Sequence, residues 1–259
     1  MNLHDESNLG SPFDDGNVYD LLFSNFDYGL EYYLQLARSA QGPVLDIACG
    51  TGRVMLPCLE AGLDVDGLDL SVALLDRLRE KAAVKGLNPT LFEGDMRQFR
   101  LDRRYRLAII PFNAFVHCMN GEEQIAALRC IREHLEPGGM LAFDTFFPGF
   151  EMLNLPNQTR VLEMETDHPT PGWKVRVYDT RTLNRIDQIQ HSFMEIEELN
   201  DAGEVVNVHP SQTQIRWIYK QEMELLLRLS GFWNWNIWGS FERRPLVNET
   251  DAMIIEATV

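Results

Sequence analysis

The chain has 259 residues, 45% of them hydrophobic and 24% charged, a composition that suits a large globular domain with a sizeable core. Its 39 acidic and 23 basic side chains give a formal net charge of -16. Such a surface repels phosphate backbones and argues against nucleic acid as a substrate. The cysteines Cys49, Cys58, Cys118 and Cys130 form no CxxC pair, so reduced thiols in a cytoplasmic protein are expected. The opening MNLHDESNLGSPFDDG is polar and acidic, unlike a signal peptide, and no apolar run is long enough to span a membrane.

In chain order, the aromatic-rich stretch 18–40 reads as one or two helices. VLDI (44–47) then reads as a buried strand, followed by a helix over 52–61 with Pro57 near its first turns. A second strand covers 64–69, with Asp64 and Asp66 taken as surface, and Ser71 is placed as the N-cap of a helix running to Lys85. TLFEG (90–94) and YRLAIIP (105–111) are the third and fourth strands. A helix over 121–134 is expected to stop at the breaker PGG, after which GMLAFDTF makes the fifth strand. This alternation predicts an α/β fold, a parallel sheet with helices on both faces. Between about 150 and 219 the pattern changes. WKVRVYDTR, QIQHSFMEIEEL and VVNVH, with the turn NDAG, predict an inserted antiparallel sheet. A helix, KQEMELLLRLSG, and the strands NWNIWG and DAMIIEATV close the chain. The expected divisions are a polar lead and helical lid over 1–40, a binding core over 41–150, an inserted β subdomain over 151–217 and the rest of the core over 218–259.

The turn after VLDI, ACGTGR, is too short of glycine for a dinucleotide fingerprint, because residue 55 is Met, and it lacks the lysine of a P-loop. It does have Asp46 before it, Gly50 and Gly52 within it, and Asp69 at the end of the next strand, 17 residues after Gly52. Acidic side chains at strand carboxyl ends accept bonds from ribose hydroxyls, the role expected of Asp69, which could alternatively serve as a helix-entry residue. Asp95, ending the third strand, could accept from an adenine amino group beside Met96, and Asp46 could receive the ammonium of an amino-acid tail. Together these suit a nucleoside with a zwitterionic tail and no phosphate.

LDIACGTGR, LDLS, GDMRQF and IIPFNAFVH, in this order and spacing, resemble the four core motifs of class I S-adenosylmethionine-dependent methyltransferases. The resemblance covers roughly 18–150 and 215–259, and it implies a seven-stranded, mostly parallel, Rossmann-like sheet. It also implies S-adenosylmethionine as cofactor and S-adenosylhomocysteine as its product. Within the matched motifs it extends the cofactor's surroundings to Ala48, Arg53, Leu70 and Arg97, and it implies that Tyr19 or Tyr28 meets the methionine tail, with Tyr19 also a catalytic candidate. The early Tyr19–Asp20 and Asp27–Tyr28 pairs, GDMRQFRL and the insertion resemble more closely the deoxyaminosugar N,N-dimethyltransferases.

After the fourth strand, where a doubly wound sheet opens its ligand crevice, Pro111 is expected to turn its backbone to the sulfonium. Phe112 and Asn113 are expected to meet the acceptor. His117 is the candidate general base, with an ordinary structural role as the alternative. Arg216 is either an anion contact for the acceptor or a surface charge. Trp173, Trp217 and NWNIW read as packing. With no HxH or HExxH present, no metal is expected. The sequence therefore predicts methyl transfer to a small-molecule acceptor. An amine nitrogen comes first, on a sugar nucleotide in the closer resemblance. O-methylation, cofactor binding without chemistry and, disfavoured by Met55, a dehydrogenase are the alternatives. The inserted sheet offers an edge or a face for a homodimer.

Overall fold

A computed structural model describes residues 9–23 and 26–259. Residues 1–8 of the polar lead, His4 among them, and Ser24 and Asn25 of the aromatic stretch lie outside the described residues. The described chain builds two sheets. The larger has seven strands in the order β10-β11-β5-β4-β1-β2-β3. Its strands are β1 (Val44–Ile47), β2 (Val65–Asp69), β3 (Thr90–Glu93), β4 (Tyr105–Ile110), β5 (Leu135–Phe146), β10 (Asn234–Trp238) and β11 (Ala252–Thr258). The first five run parallel, and β11 is antiparallel to both β5 and β10. The second sheet is antiparallel, in the order β6 (Thr159–Asp167), β7 (Lys174–Asn184), β8 (Ile189–Leu199), β9 (Val205–Arg216). The α/β architecture with an inserted antiparallel sheet is thus the one expected.

Side-chain alternation explains the layers. Leu45, Ile47, Ala108 and Ile110 point to one face, where α5 (Gly121–Glu133) adds Ala127, Leu128 and Ile131, and α7 (Lys220–Leu229) adds Met223, Leu226 and Leu227. Val44, Leu107 and Ile109 point to the other face. There α2 (Leu30–Ala40) contributes Tyr33 and Leu36, α3 (Met55–Glu60) contributes Met55 and Cys58, and α4 (Val72–Val84) contributes Leu75, Leu78 and Ala82. Each fully buried aliphatic side chain stabilises the fold by about 1.5–3 kcal/mol. Ser71 caps α4, its Oγ accepting the Leu74 N–H at 3.3 Å.

Several boundaries depart from the sequence reading, each for a local reason. The aromatic stretch is two helices, α1 (Gly16–Phe23) and α2. The helix after the glycine turn begins only at Met55, because Gly52 holds φ at 88°. PGG does not separate helix from strand. Leu135 already pairs with Tyr105, and PGG forms an irregularity inside β5, with Gly138 at φ 74°. Asp66 is not a surface residue. It is 5% exposed, accepting the Tyr105 hydroxyl at 2.9 Å and an Arg103 N–H at 3.1 Å. The insertion has a strand the reading missed, β6, and a short helix, α6 (Phe150–Asn154), leads into it.

Candidate cofactor and acceptor site

The order of the large sheet reverses between β1 and β4, so the loops leaving their carboxyl ends diverge and open a crevice. The loop after β1 is held in an unusual backbone path. Ala48, Gly50 and Gly52 all adopt positive φ, 55°, 56° and 88°. A Cβ on Gly52 would lie 2.8 Å from Leu56 Cγ and 2.9 Å from Leu78 Cγ, so packing as well as conformation demands glycine there.

Polar side chains fix this loop from three directions. Asp69 accepts the Gly50 N–H at 2.7 Å through one oxygen and the Ser71 N–H at 2.8 Å through the other. Thr51 donates its hydroxyl to Asp20 of α1 at 2.7 Å. Arg53 donates to the Tyr28 carbonyl at 2.7 Å, and its guanidinium carbon lies 4.8 Å from the Phe112 ring centre. The second carboxylate, Asp46, behaves differently. It is 1% exposed on the α2–α4 face, and neither oxygen closes a hydrogen bond. Burial pushes its carboxyl up to about 8, with the Arg53 charge opposing and Asp69 reinforcing the shift. Arg53 Nη2 is also buried without a partner. An unsatisfied carboxylate therefore faces the field of an incompletely satisfied guanidinium beside the glycine loop. That pair complements the ammonium and carboxylate of one amino-acid tail, so the residues present fit the expected cofactor.

Tyr19 closes this corner from α1. A Cβ on Gly50 would sit 3.4 Å from its hydroxyl oxygen, which places the phenol over the loop. Burial raises the phenol above its ordinary range, so it stays protonated. A cleft of about 280 Å³ opens beside it, lined by Tyr19, Phe23, Thr51 and Arg53 among others. The adjoining Asp20 is 8% exposed and takes Arg77 Nε at 2.8 Å and Lys81 Nζ at 2.9 Å besides Thr51. Burial opposes its ionisation, but those three donors outweigh it and hold the carboxyl below its ordinary value.

On the β3 side, Asp95 is gripped by its neighbour Arg97, whose Nε lies 2.9 Å from both carboxylate oxygens and whose Nη2 lies 2.6 Å from one. That bond chiefly holds Asp95 below the ordinary carboxylate range. Arg97 also reaches Glu123 at 2.9 Å. Met96 is half-buried beside them, and Leu70, next to Asp69, is 65% exposed.

After β4 the chain turns through Phe112 and Asn113 with φ of 62° and 58°. Asp144, which the sequence reading passed over, makes this possible. It lies in β5, 0% exposed, and accepts the Phe112 N–H at 2.8 Å, the Asn113 N–H at 2.9 Å and the Tyr33 hydroxyl. Its one sequence signal was an acid inside the apolar run LAFDTF. The turn leaves Pro111 buried and Asn113 Oδ1 buried without a partner. Phe112 then meets Phe23 at 4.9 Å, Phe26 at 5.7 Å and Tyr28 at 6.1 Å between ring centres, an aromatic wall suited to a cation.

His117 ends the 3-10 turn Ala114–His117. Its Nδ1 lies 3.2 Å from the Gln214 carbonyl of β9, and Phe13, another residue absent from the sequence reading, meets the ring edge-on at 5.1 Å. Burial lowers its basicity below the ordinary imidazole range, with the Gln214 carbonyl opposing. With Nδ1–H donated to that carbonyl, Nε2 is the proton acceptor. Arg216 is neither exposed nor unpaired. It bonds Glu222 at 2.7 Å, Gln124 at 3.2 Å and Gln188 at 3.3 Å, tying the insertion to α5 and α7. Trp217 is core, at 1% exposure. Among the described residues no cluster of metal ligands occurs, and no helix is long and apolar enough to cross a membrane.

Residues 44–139 match a family model described as a methyltransferase domain. The chain is 28% identical to a cypemycin N-terminal methyltransferase from a Streptomyces species, over 92% of this chain and 93% of that one. It is 33% identical to the dTDP-3-amino-3,4,6-trideoxy-alpha-D-glucopyranose N,N-dimethyltransferase of Streptomyces venezuelae, over 52% of this chain and 58% of that one. An S-adenosylmethionine-dependent methyltransferase structure from Clostridium acetobutylicum superposes with a TM-score of 0.74 at 17% identity, covering 94% of this chain and 96% of that one, and shares the fold. Residues 44–139 thus resemble a methyltransferase domain, and the whole chain shares the fold of a solved S-adenosylmethionine-dependent methyltransferase.

Proposed function

We propose that the chain transfers a methyl group from S-adenosylmethionine to the nitrogen of a small amine. The observation that carries this reading is the buried Asp46 carboxylate without a hydrogen-bond partner, beside the unsatisfied Nη2 of Arg53. Asp46 would hold the ammonium of the methionine tail and Arg53 its carboxylate, with Tyr19 covering both. Asp69, fixed by Gly50 and Ser71, would receive the ribose, with Leu70, Met96 and the Asp95–Arg97 pair around the base.

When bound, the sulfonium supplies an electrophilic methyl group whose positive charge is extinguished on transfer. The protein's part is to orient the acceptor, exclude water and manage one proton. Pro111 and the aromatic wall around Phe112 would screen the cationic centre. Asn113 would orient the acceptor through its unpartnered Oδ1. Such positioning can lower a barrier by up to ~7–11 kcal/mol. An amine must present its lone pair, and His117 Nε2, kept neutral by burial, would take the proton it sheds. The names of the two relatives support an amine acceptor, since one methylates an N-terminus and the other a sugar amine.

The test is transfer of labelled methyl from S-adenosylmethionine to three probes: an amino-sugar nucleotide, a short peptide with a free N-terminus, and a phenol. Label on nitrogen in either of the first two supports the reading. Label on the phenol alone replaces it with O-methylation, and cofactor retained without transfer to any acceptor replaces it with binding alone.

A further inference from the structure

Helix α1 has a second face. Beside Tyr19 it buries Val18 and Leu22 against Val175 and Val177 of β7 and Ile196 of β8. The strand registers extend that contact into rows across one face of the inserted sheet. The row under α1 is Met164, Val177, Ile196 and His209. The next is Val161, Asp179, Met194 and Ser211, and the one after is Thr159, Arg181, Ser192 and Thr213. Thr213 adjoins Gln214, whose carbonyl anchors His117. These two rows, which carry Asp179, Ser211, Arg181 and Ser192, therefore lie between the helix that covers the glycine loop and the turn that carries the candidate base.

Within these rows Asp179 is 4% exposed, Ser192 and Ser211 each 5%. One oxygen of Asp179 is gripped by Arg181 Nε at 2.6 Å and by the Ser192 hydroxyl at 3.0 Å. Ser192 in turn accepts from Gln190 at 2.8 Å, and Arg181 pairs with Glu163 at 2.6 Å. The other oxygen, Oδ1, is buried and has no partner. A purely structural ion pair has no use for a second oxygen held dry and unsatisfied, whereas a ligand-binding carboxylate does.

We propose that Asp179 is a specificity-determining residue of the acceptor site. Its Oδ1 accepts a hydrogen bond from the 4-hydroxyl beside the methylated C3 amine of an amino sugar, so that the chain selects the sugar that carries that hydroxyl. This rests on the methyltransferase reading above. The bonded group is a neighbouring hydroxyl, not the amine itself, because a carboxylate gripping the nitrogen would hold it protonated and block its lone pair.

Two nucleotides differ in this one group. dTDP-3-amino-3,6-dideoxy-α-D-glucopyranose carries hydroxyls on C2 and C4, either side of its C3 amine, whereas dTDP-3-amino-3,4,6-trideoxy-α-D-glucopyranose keeps the 2-hydroxyl and lacks the 4-hydroxyl. A site built to bond a hydroxyl discriminates strongly against the analogue without it, and we expect wild-type kcat/KM to favour the first by about 30-fold or more. Asp179→Ala should bring that ratio below about 3-fold while S-adenosylhomocysteine affinity, measured by calorimetry, stays within about twofold. A structural role alone would lower stability without moving the ratio. Equal wild-type rates for the two nucleotides overturn the proposal, and this arm needs no variant to fold. So does an unchanged ratio in Asp179→Ala, or failure to bind either nucleotide in a chain that still binds S-adenosylhomocysteine. Failure to bind S-adenosylhomocysteine at all instead removes the methyltransferase reading beneath it.

Discussion

Burial shifts two residues of the proposed site in opposite directions. Asp46 holds its proton up to about pH 8 in the folded chain, far above an unfolded aspartate. The folded state thus binds that proton more tightly than the unfolded state does. Its contribution to stability is complete below the unfolded pKa and is lost as pH rises through the folded one. The melting temperature of the ligand-free protein should accordingly fall between about pH 5 and about pH 9, and Asp46→Asn should flatten the slope; scanning calorimetry across that range checks it. His117 shifts the other way, which keeps the imidazole neutral near physiological pH. Replacing it with alanine should lower kcat by ~10²–10⁴-fold and remove the acid limb of the pH–rate profile. S-adenosylhomocysteine affinity should not change. A full-rate His117→Ala enzyme at every pH would return the residue to a structural role.

At the scale of elements, two buried carboxylates fix α1 and the Phe112–Asn113 turn. Asp20 joins α1 to the glycine loop through Thr51 and to α4 through Arg77 and Lys81. Asp20→Asn weakens all three bonds, each worth about 1.5–3 kcal/mol to a charged group, so we expect looser S-adenosylhomocysteine binding by about tenfold with Tyr19 less firmly seated. Equal affinity in wild type and variant would show that α1 is seated by its apolar face alone. Asp144→Ala removes the shared acceptor of three donors, the Phe112 and Asn113 N–H groups of the turn and the Tyr33 hydroxyl of α2, and chemical denaturation should report a loss of about 3–5 kcal/mol. Neither device was open to a reading of the sequence, although the loops they hold were. VLDIACGTGR announces a strand and a close turn within ten adjacent residues. Asp144 instead finds its partners 31, 32 and 111 positions away. Asp66 was misread for the same reason, since Tyr105 lies 39 positions on. Strand β6 escaped because TRVLEMETD alternates poorly and slips register between Leu162 and Met164.

At the scale of the molecule, the parallel sheet opens a crevice, and the insertion meets its edge where the Gln214 carbonyl of β9 contacts His117. α1 is shared between them, carrying Tyr19 toward Gly50 and Val18 and Leu22 toward β7 and β8. Ligand binding to this junction should stabilise the whole chain. At a ligand concentration a hundred times Kd the gain is about 2.7 kcal/mol, which a thermal melt with S-adenosylhomocysteine would display as a rise in Tm. The most direct measurement is a calorimetric titration of S-adenosylhomocysteine at about pH 7 in buffers of different ionisation enthalpy. An ammonium docking on a protonated Asp46 must displace its proton, so binding should release close to one proton per site, and Asp46→Asn should abolish that release. Absence of binding heat, or binding with no proton released and equal affinity in Asp46→Asn, would contradict the account.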